Sequence, residues 1–326
     1  MSYSGLATAN ENPFKPNWLA VSDSEELERT WRSAFVALPE ALGNQFGYLL
    51  NDEVSLNDSI LNKLKGEKLP LLVFIGSCEG LGHHREDIER FAQLGFVVIA
   101  PDSMARKHRP YGCYEDQEIY TKYHDIGIAF QKAELDYAVE RMQSLPWVNQ
   151  EQRFLFGSGT GGMVVAHYQG SEFTGHVIEG WGCNHPHSVF NGIWAPVNVR
   201  IYSVVSKNDR WFKDKPGFEI DCARYLNDRP DSEAIVLDRP AHYVSWYPGS
   251  RTKLIRFLTR DLDVDHAALI DDTPVVIESS ENGIVIRPRW SVEDVYAMAS
   301  EHCKKFAKTS YISGEPNHDT YRFICS

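Results

Sequence analysis

The stretch Phe154-Leu155-Phe156-Gly157-Ser158-Gly159-Thr160-Gly161-Gly162, followed by Met163-Val164-Val165-Ala166, constrains this chain more than any other. An apolar run, a cluster of small residues and a second apolar run describe a strand that turns sharply into a helix. The residues two before and two after the centre of such a turn must be small, so that strand and helix can approach. The centre itself takes a positive φ, which glycine adopts without strain. Aligning the glycines puts Gly157 and Gly161 at the flanks and Gly159 at the centre. A register centred on Ser158 would put Phe156 at a flank where no side chain fits. One centred on Thr160 would give a β-branched residue a positive φ.

The chain around this turn alternates strand and helix signals. Leu69 to Ile75 and Phe96 to Ala100 are continuously apolar, as strands buried on both faces require. Between them Glu86 to Leu94 has helical spacing and ends at Gly95, a good residue just past a helix. Further helices are expected over Gln131 to Ser144, Met163 to Gln169, Asp221 to Asn227 and Thr252 to Thr259. Further strands are expected over Arg153 to Phe156, His176 to Gly180, Val199 to Val205 and Ala234 to Leu237. This succession predicts an α/β fold with a doubly wound, mostly parallel sheet over residues 66–262. Residues 1–65 read as an N-terminal helical extension, with helices over Ser24 to Leu38 and around Leu56 to Leu64. Residues 263–326 read as a small β-β-α-β appendage: strands Thr273 to Ile277 and Gly283 to Arg287 around an Asn-Gly turn, helix Ser291 to Lys308, and strand Tyr321 to Cys325.

Composition narrows the class of partners. With 33 basic and 45 acidic residues the formal charge is −12, which repels phosphate and argues against nucleic-acid and anionic-membrane partners. No apolar run reaches the roughly 18 residues that span a bilayer, and the first residues lack the pattern of a secretory signal. The six cysteines contain no CxxC pair, so reduced thiols in a cytoplasmic protein are the expectation. A homo-oligomer is compatible with all of this.

The strand-turn-helix context is that of the G-x-S-x-G nucleophile elbow, with Gly159 at the nucleophile position. The partners of such a nucleophile follow in the expected chain order. Asp209 lies on the loop beyond the strand that ends at Val205, and His242 on the loop beyond the strand that ends at Leu237. In an active triad His242 takes the nucleophile's proton and Asp209 fixes its tautomer. Gly76, Ser77 and Cys78 open the turn where a second oxyanion N–H is placed, the first coming from Thr160. Ser158 is the alternative nucleophile. A relocated thiol, Cys78 or Cys183, is another, although cysteine is more often simply buried. A metal site from Cys183, His185 and His187 has poor spacing, so no metal is expected.

Together Gly76 to Gly82, Ala100 to Ser103, the elbow, Asp209 and His242 resemble the α/β-hydrolases, and among them the dienelactone hydrolase-like group. The likeness covers residues 65–260. It implies a pocket for small esters, lactones or related acyl compounds, a Cys or Ser nucleophile, and no cofactor. The chain departs from that pattern at Gly159, which has no side chain to attack with, and at Gly76, where many α/β-hydrolases have His. The expectation is therefore a non-catalytic or inactivated hydrolase that keeps its pocket. The alternative is an active hydrolase using Ser158 or a thiol with Asp209 and His242.

Overall fold

The computed structural model describes residues 21–39, 42, 46–47, 62–107, 109, 113, 117–185, 188–213, 220–226, 229–265, 269–271, 273–288, 292–313 and 320–326. The larger sheet has eight strands: β1 (Phe35–Ala37), β2 (Phe46–Gly47), β3 (Leu69–Ile75), β4 (Val97–Ala100), β5 (Val148–Ser158), β6 (Gly175–Glu179), β7 (Arg200–Ser206) and β8 (Glu233–Leu237). Their order is β2-β1-β4-β3-β5-β6-β7-β8. From β4 to β8 all neighbours are parallel, and β1 is antiparallel to both β2 and β4. The helices are α1 (Ser24–Arg32), α2 (Arg85–Gln93), α3 (Gln117–Gln143), α4 (Thr160–Ala166) and α5 (Pro248–Thr259). The expected α/β fold with a mostly parallel sheet is what forms.

Because successive strand residues point to opposite faces, β3 feeds two separate cores. Leu71, Val73 and Ile75 pack with Leu135, Ala138 and Met142 of α3 and with Met163 to Ala166 of α4. Leu72 and Phe74 pack with Ile88 and Phe91 of α2 and with Leu254, Ile255 and Leu258 of α5. Burial on both faces is why β3 and β4 read as unbroken apolar runs.

Several expected elements differ. The helix expected over Ser24 to Leu38 stops at Arg32, and Phe35–Ala37 becomes β1, pairing with β4. All three β1 residues are buried, and burial between neighbours outweighs the helical spacing that continues past Trp31. The segment read as a separate extension thus supplies two strands to the main sheet. Its helix is capped by Asp23, whose carboxylate accepts from the N–H groups of Glu25 and Glu26 at 2.9 and 3.1 Å. The helix expected around Leu56 to Leu64 lies mostly outside the described residues. Helix α3 begins fourteen residues earlier than expected, and the helix expected over Asp221 to Asn227 shrinks to a single turn, Ala223–Tyr225.

The C-terminal module is a second, antiparallel sheet of β9 (Val275–Ser280), β10 (Gly283–Arg287), β11 (Ser310–Ile312) and β12 (Tyr321–Cys325), ordered β11-β12-β10-β9. Helix α6 (Val292–Lys304) lays Val295 and Ala299 on Ile284, Ile286 and Phe323. The module is β-β-α-β-β, one strand more than expected.

All six cysteines are paired: Cys78 with Cys113, Cys183 with Cys222, and Cys303 with Cys325. The expectation of reduced thiols is corrected. The partners stand 35, 39 and 22 residues apart, and spacings that long carry no signal in the sequence. No helix among the described residues is long and apolar enough to cross a membrane.

Candidate active site

The site lies at the carboxyl ends of the parallel strands, the edge where open α/β sheets hold ligands. Gly159 occupies the turn between β5 and α4 with φ +57° and ψ −116°. The flanking glycines are there for contact. A Cβ at Gly157 would lie 2.2 Å from the Gly161 carbonyl oxygen, and one at Gly161 would lie 2.2 Å from that of Ile75. Strand and helix touch through bare backbone, which is why the sequence needs this spacing of glycines.

A Cβ at Gly159 would point at the histidine, 3.1 Å from His242 Nε2 and 3.3 Å from Ser77 Cβ. His242 Nδ1 lies 2.5 Å from Asp209 Oδ2, and Asp209 is fully buried. Asp209 is further held by the Trp211 N–H, which donates to Oδ1 at 2.9 Å. Gly159, Asp209 and His242, picked out in the sequence from their order on three loops, are therefore brought together. The ring of His242 also faces Gly180, where a Cβ would lie 3.0 Å from Cε1 and 3.2 Å from Nε2. Trp211, Phe212 and Tyr243 surround it, with ring centroids 6.3, 6.2 and 4.8 Å away.

Ser158 is not placed for attack. It is fully buried, and its hydroxyl donates to Glu179 Oε2 at 2.7 Å. The reading of Ser158 as alternative nucleophile is corrected on that ground: adjacent residues of a strand point to opposite sides, and the side of Ser158 is the inner one. Cys78 and Cys183 are closed in disulfides and offer no thiolate, so the relocated-thiol reading is corrected as well. Cys78 is half-buried in the turn after β3, whereas Cys183 is fully buried, which also removes it from the pocket lining. Gly76 belongs to that same turn, and its carbonyl accepts from Gln131 Nε2 at 2.7 Å. Ser77 Oγ accepts from the Glu79 N–H at 3.2 Å and shares a hydrogen bond with Tyr243, whose hydroxyl burial pushes up to about 12. Thr160 opens α4, so its N–H has no carbonyl one turn behind it in the helix.

Glu179 was not singled out from the sequence. It sits at the end of β6, buried, with Oε1 accepting from the N–H groups of Val244 and Ser245 at 2.9 and 2.8 Å. Its carbonyl accepts from the Gly159 N–H at 2.9 Å. One residue thus ties the Gly159 turn to the loop that carries His242. An acidic residue closing a buried strand right after the apolar pair Val177-Ile178 is the signal that could have marked it. Among the described residues no group of three His, Cys, Asp or Glu side chains could hold a metal ion.

This fold and the placement of these residues define an α/β-hydrolase-type domain. The model of the dienelactone hydrolase family matches residues 58–215. The matched segment, a little under half of the chain, is similar to that family; it includes Gly159 and Asp209 but ends before His242. Among solved structures, a dienelactone hydrolase-like promiscuous phosphotriesterase from metagenomic libraries is 17% identical, with 63% of this chain and 88% of that one covered and a TM-score of 0.40. An esterase from Pyrococcus furiosus is 14% identical over 59% of this chain and 83% of its own, at a TM-score of 0.41. The Thermus thermophilus protein TT1662 is 16% identical over 61% and 92%, at 0.42. No curated protein matches the chain.

Proposed function

We propose that this protein is a dienelactone hydrolase-like pseudoenzyme, a hydrolase fold that binds a small ester, lactone or related acyl compound without forming a covalent intermediate with it. The observation that carries the reading is Gly159, whose φ of +57° and aim at His242 Nε2 are those of a nucleophile, with no atom to attack. Everything that would serve a nucleophile stands around it: an imidazole held by a buried carboxylate, and the N–H of Thr160 at the mouth of a helix. The residues that could have replaced the nucleophile are otherwise engaged, Ser158 with Glu179 and the cysteines with one another. The ligand rests over Gly159 against Trp211, Phe212 and Tyr243, and the site uses no cofactor. Closed disulfides persist in oxidising surroundings, so the working compartment is taken to be oxidising rather than cytoplasmic.

The test is turnover of a panel of short acyl esters and lactones. The protein and its His242→Ala variant should both be inactive, and Gly159→Ser should turn over. Turnover by the protein itself that His242→Ala abolishes would overturn the reading.

A further inference from the structure

We infer that the cleft over Gly159 selects neutral ligands that carry a hydroxyl beside a carbonyl, such as α-hydroxy esters and hydroxylactones, in preference to plain esters. The inference deepens the proposed function and rests on it. The ring of His242 faces the Gly159 position through Nε2. An ionised carboxylate only accepts hydrogen bonds, so Asp209, 2.5 Å from Nδ1, holds the ring hydrogen on that nitrogen. Nε2 is then an acceptor with its lone pair directed over Gly159. In a serine enzyme the serine hydroxyl would fill that acceptor, and here the residue has no hydroxyl.

Among the described residues no hydrogen-bond donor reaches Nε2. Two glycines wall Nε2, Gly159 and Gly180. Their amides are committed elsewhere, Gly159 N–H to the Glu179 carbonyl at 2.9 Å and Gly180 N–H to the Val204 carbonyl at 3.0 Å. Ser77, whose Cβ would lie 3.3 Å from a Cβ at Gly159, is engaged with Glu79 and Tyr243. The floor of the cleft therefore presents an acceptor, Nε2, beside a donor, the Thr160 N–H. Its complement is a ligand with a donor beside an acceptor, a hydroxyl next to a carbonyl oxygen. A plain ester or lactone satisfies the amide and leaves Nε2 without a partner.

Charge excludes the free hydroxy acid. Asp209 and Glu179 are both buried carboxylates at this end of the sheet. Among the described residues Glu179 is satisfied by N–H and O–H donors rather than by a cation. A ligand carboxylate would lie near these two buried negative charges, so the ester or lactone is the form that fits.

Saturation-transfer NMR on the full chain tests this with a matched pair, methyl mandelate and its O-methyl ether. They differ only in whether the group beside the carbonyl can donate. The protein is expected to bind methyl mandelate about fivefold tighter, the worth of one hydrogen bond. In His242→Ala that preference should vanish. In Asp209→Asn the amide N–H donates to Nδ1 and Nε2 becomes a donor, which a hydroxyl and an ether oxygen both accept, so the preference should vanish. Thermal melts establish that each variant is folded. Equal binding of the two probes by the unaltered protein, or an unchanged preference in folded Asp209→Asn, overturns the inference and leaves the cleft reading standing. Absence of binding by either probe overturns the cleft reading itself.

Discussion

Gly159 joins a backbone requirement to a chemical one. At φ +57° and ψ −116° any side chain is strained, at a cost of about 1–3 kcal/mol. A Cβ there also needs His242 and Ser77 to give by a few tenths of an ångström. Gly159→Ala and Gly159→Ser should each lower the urea-unfolding free energy by about 1–3 kcal/mol, while only the serine variant gains esterase turnover. The neighbouring residue makes the opposite case. Ser158→Ala removes the hydroxyl that Glu179 Oε2 accepts from inside the core. A loss of about 1–3 kcal/mol is expected there, with no effect on the turnover of Gly159→Ser beyond that of stability. If that turnover is abolished in a folded double variant, Ser158 has a chemical part. The centre of the turn was legible in the sequence because sterics leave one register of five small residues. Glu179 was not, because its partners are backbone amides sixty-five and sixty-six residues away.

Elements that are buried on both faces were the legible ones. The runs that became β3 and β4 need no context, since nothing else buries five or four consecutive apolar residues so completely. β1 was hidden, being three residues long and following a real helix in phase with its apolar side. The disulfides were hidden by their long separations. Their exposure orders their chemistry: Cys78 and Cys113 are half-buried, whereas Cys183 and Cys222 are fully buried. Graded reduction with alkylation and mass mapping should label Cys78 and Cys113 first. Simultaneous labelling of all six cysteines would contradict the structure. Two buried histidines, His167 at the end of α4 and His176 on β6, give the fold a pH dependence. Burial, with Lys132 nearby, holds His167 down at about 4. Burial, with Arg229 nearby, holds His176 down at about 3. Both are neutral when folded, while in the unfolded chain they bind protons below about 6.5. The unfolded state thus binds more protons as pH falls, and stability is lost from about 6.5 toward 4 and then 3. Urea midpoints should fall over that window, and His167→Gln should make the fall shallower. A midpoint indifferent to pH between 6.5 and 4.5 would refute this.

At the scale of the whole molecule, two sheets with separate cores share one chain. The C-terminal module closes its own core around Ile284, Ile286 and Phe323 and locks it with Cys303–Cys325. None of its residues belongs to the constellation of Gly159, Asp209 and His242. A chain ending at Asp271, which keeps Leu269 and Ile270 against the core beside α2 and α5, should therefore keep the α/β domain folded, with the two-sided cores intact. Urea unfolding of that fragment checks it, and a fragment without a cooperative transition would show that the module props up the larger sheet. The overall architecture was readable because strand and helix alternate at regular spacing. That Gly159, Asp209 and His242 meet was readable because chain order fixes which loops lie together at the carboxyl edge. What the spacing could not convey was the closure of the cysteines, which converts two candidate nucleophiles into struts beneath the loops of the cleft.

The central claim is that the apparatus for acyl transfer is assembled around a missing nucleophile. The most direct measurement is ester turnover by the protein, by Gly159→Ser and by Gly159→Ser/His242→Ala, with mass spectrometry to trap an acyl adduct. No turnover by the protein, turnover with an adduct at position 159 in the single variant, and loss of that turnover in the double variant are predicted. Turnover by the unaltered protein that depends on His242, or a folded Gly159→Ser that neither turns over nor acylates, would contradict it.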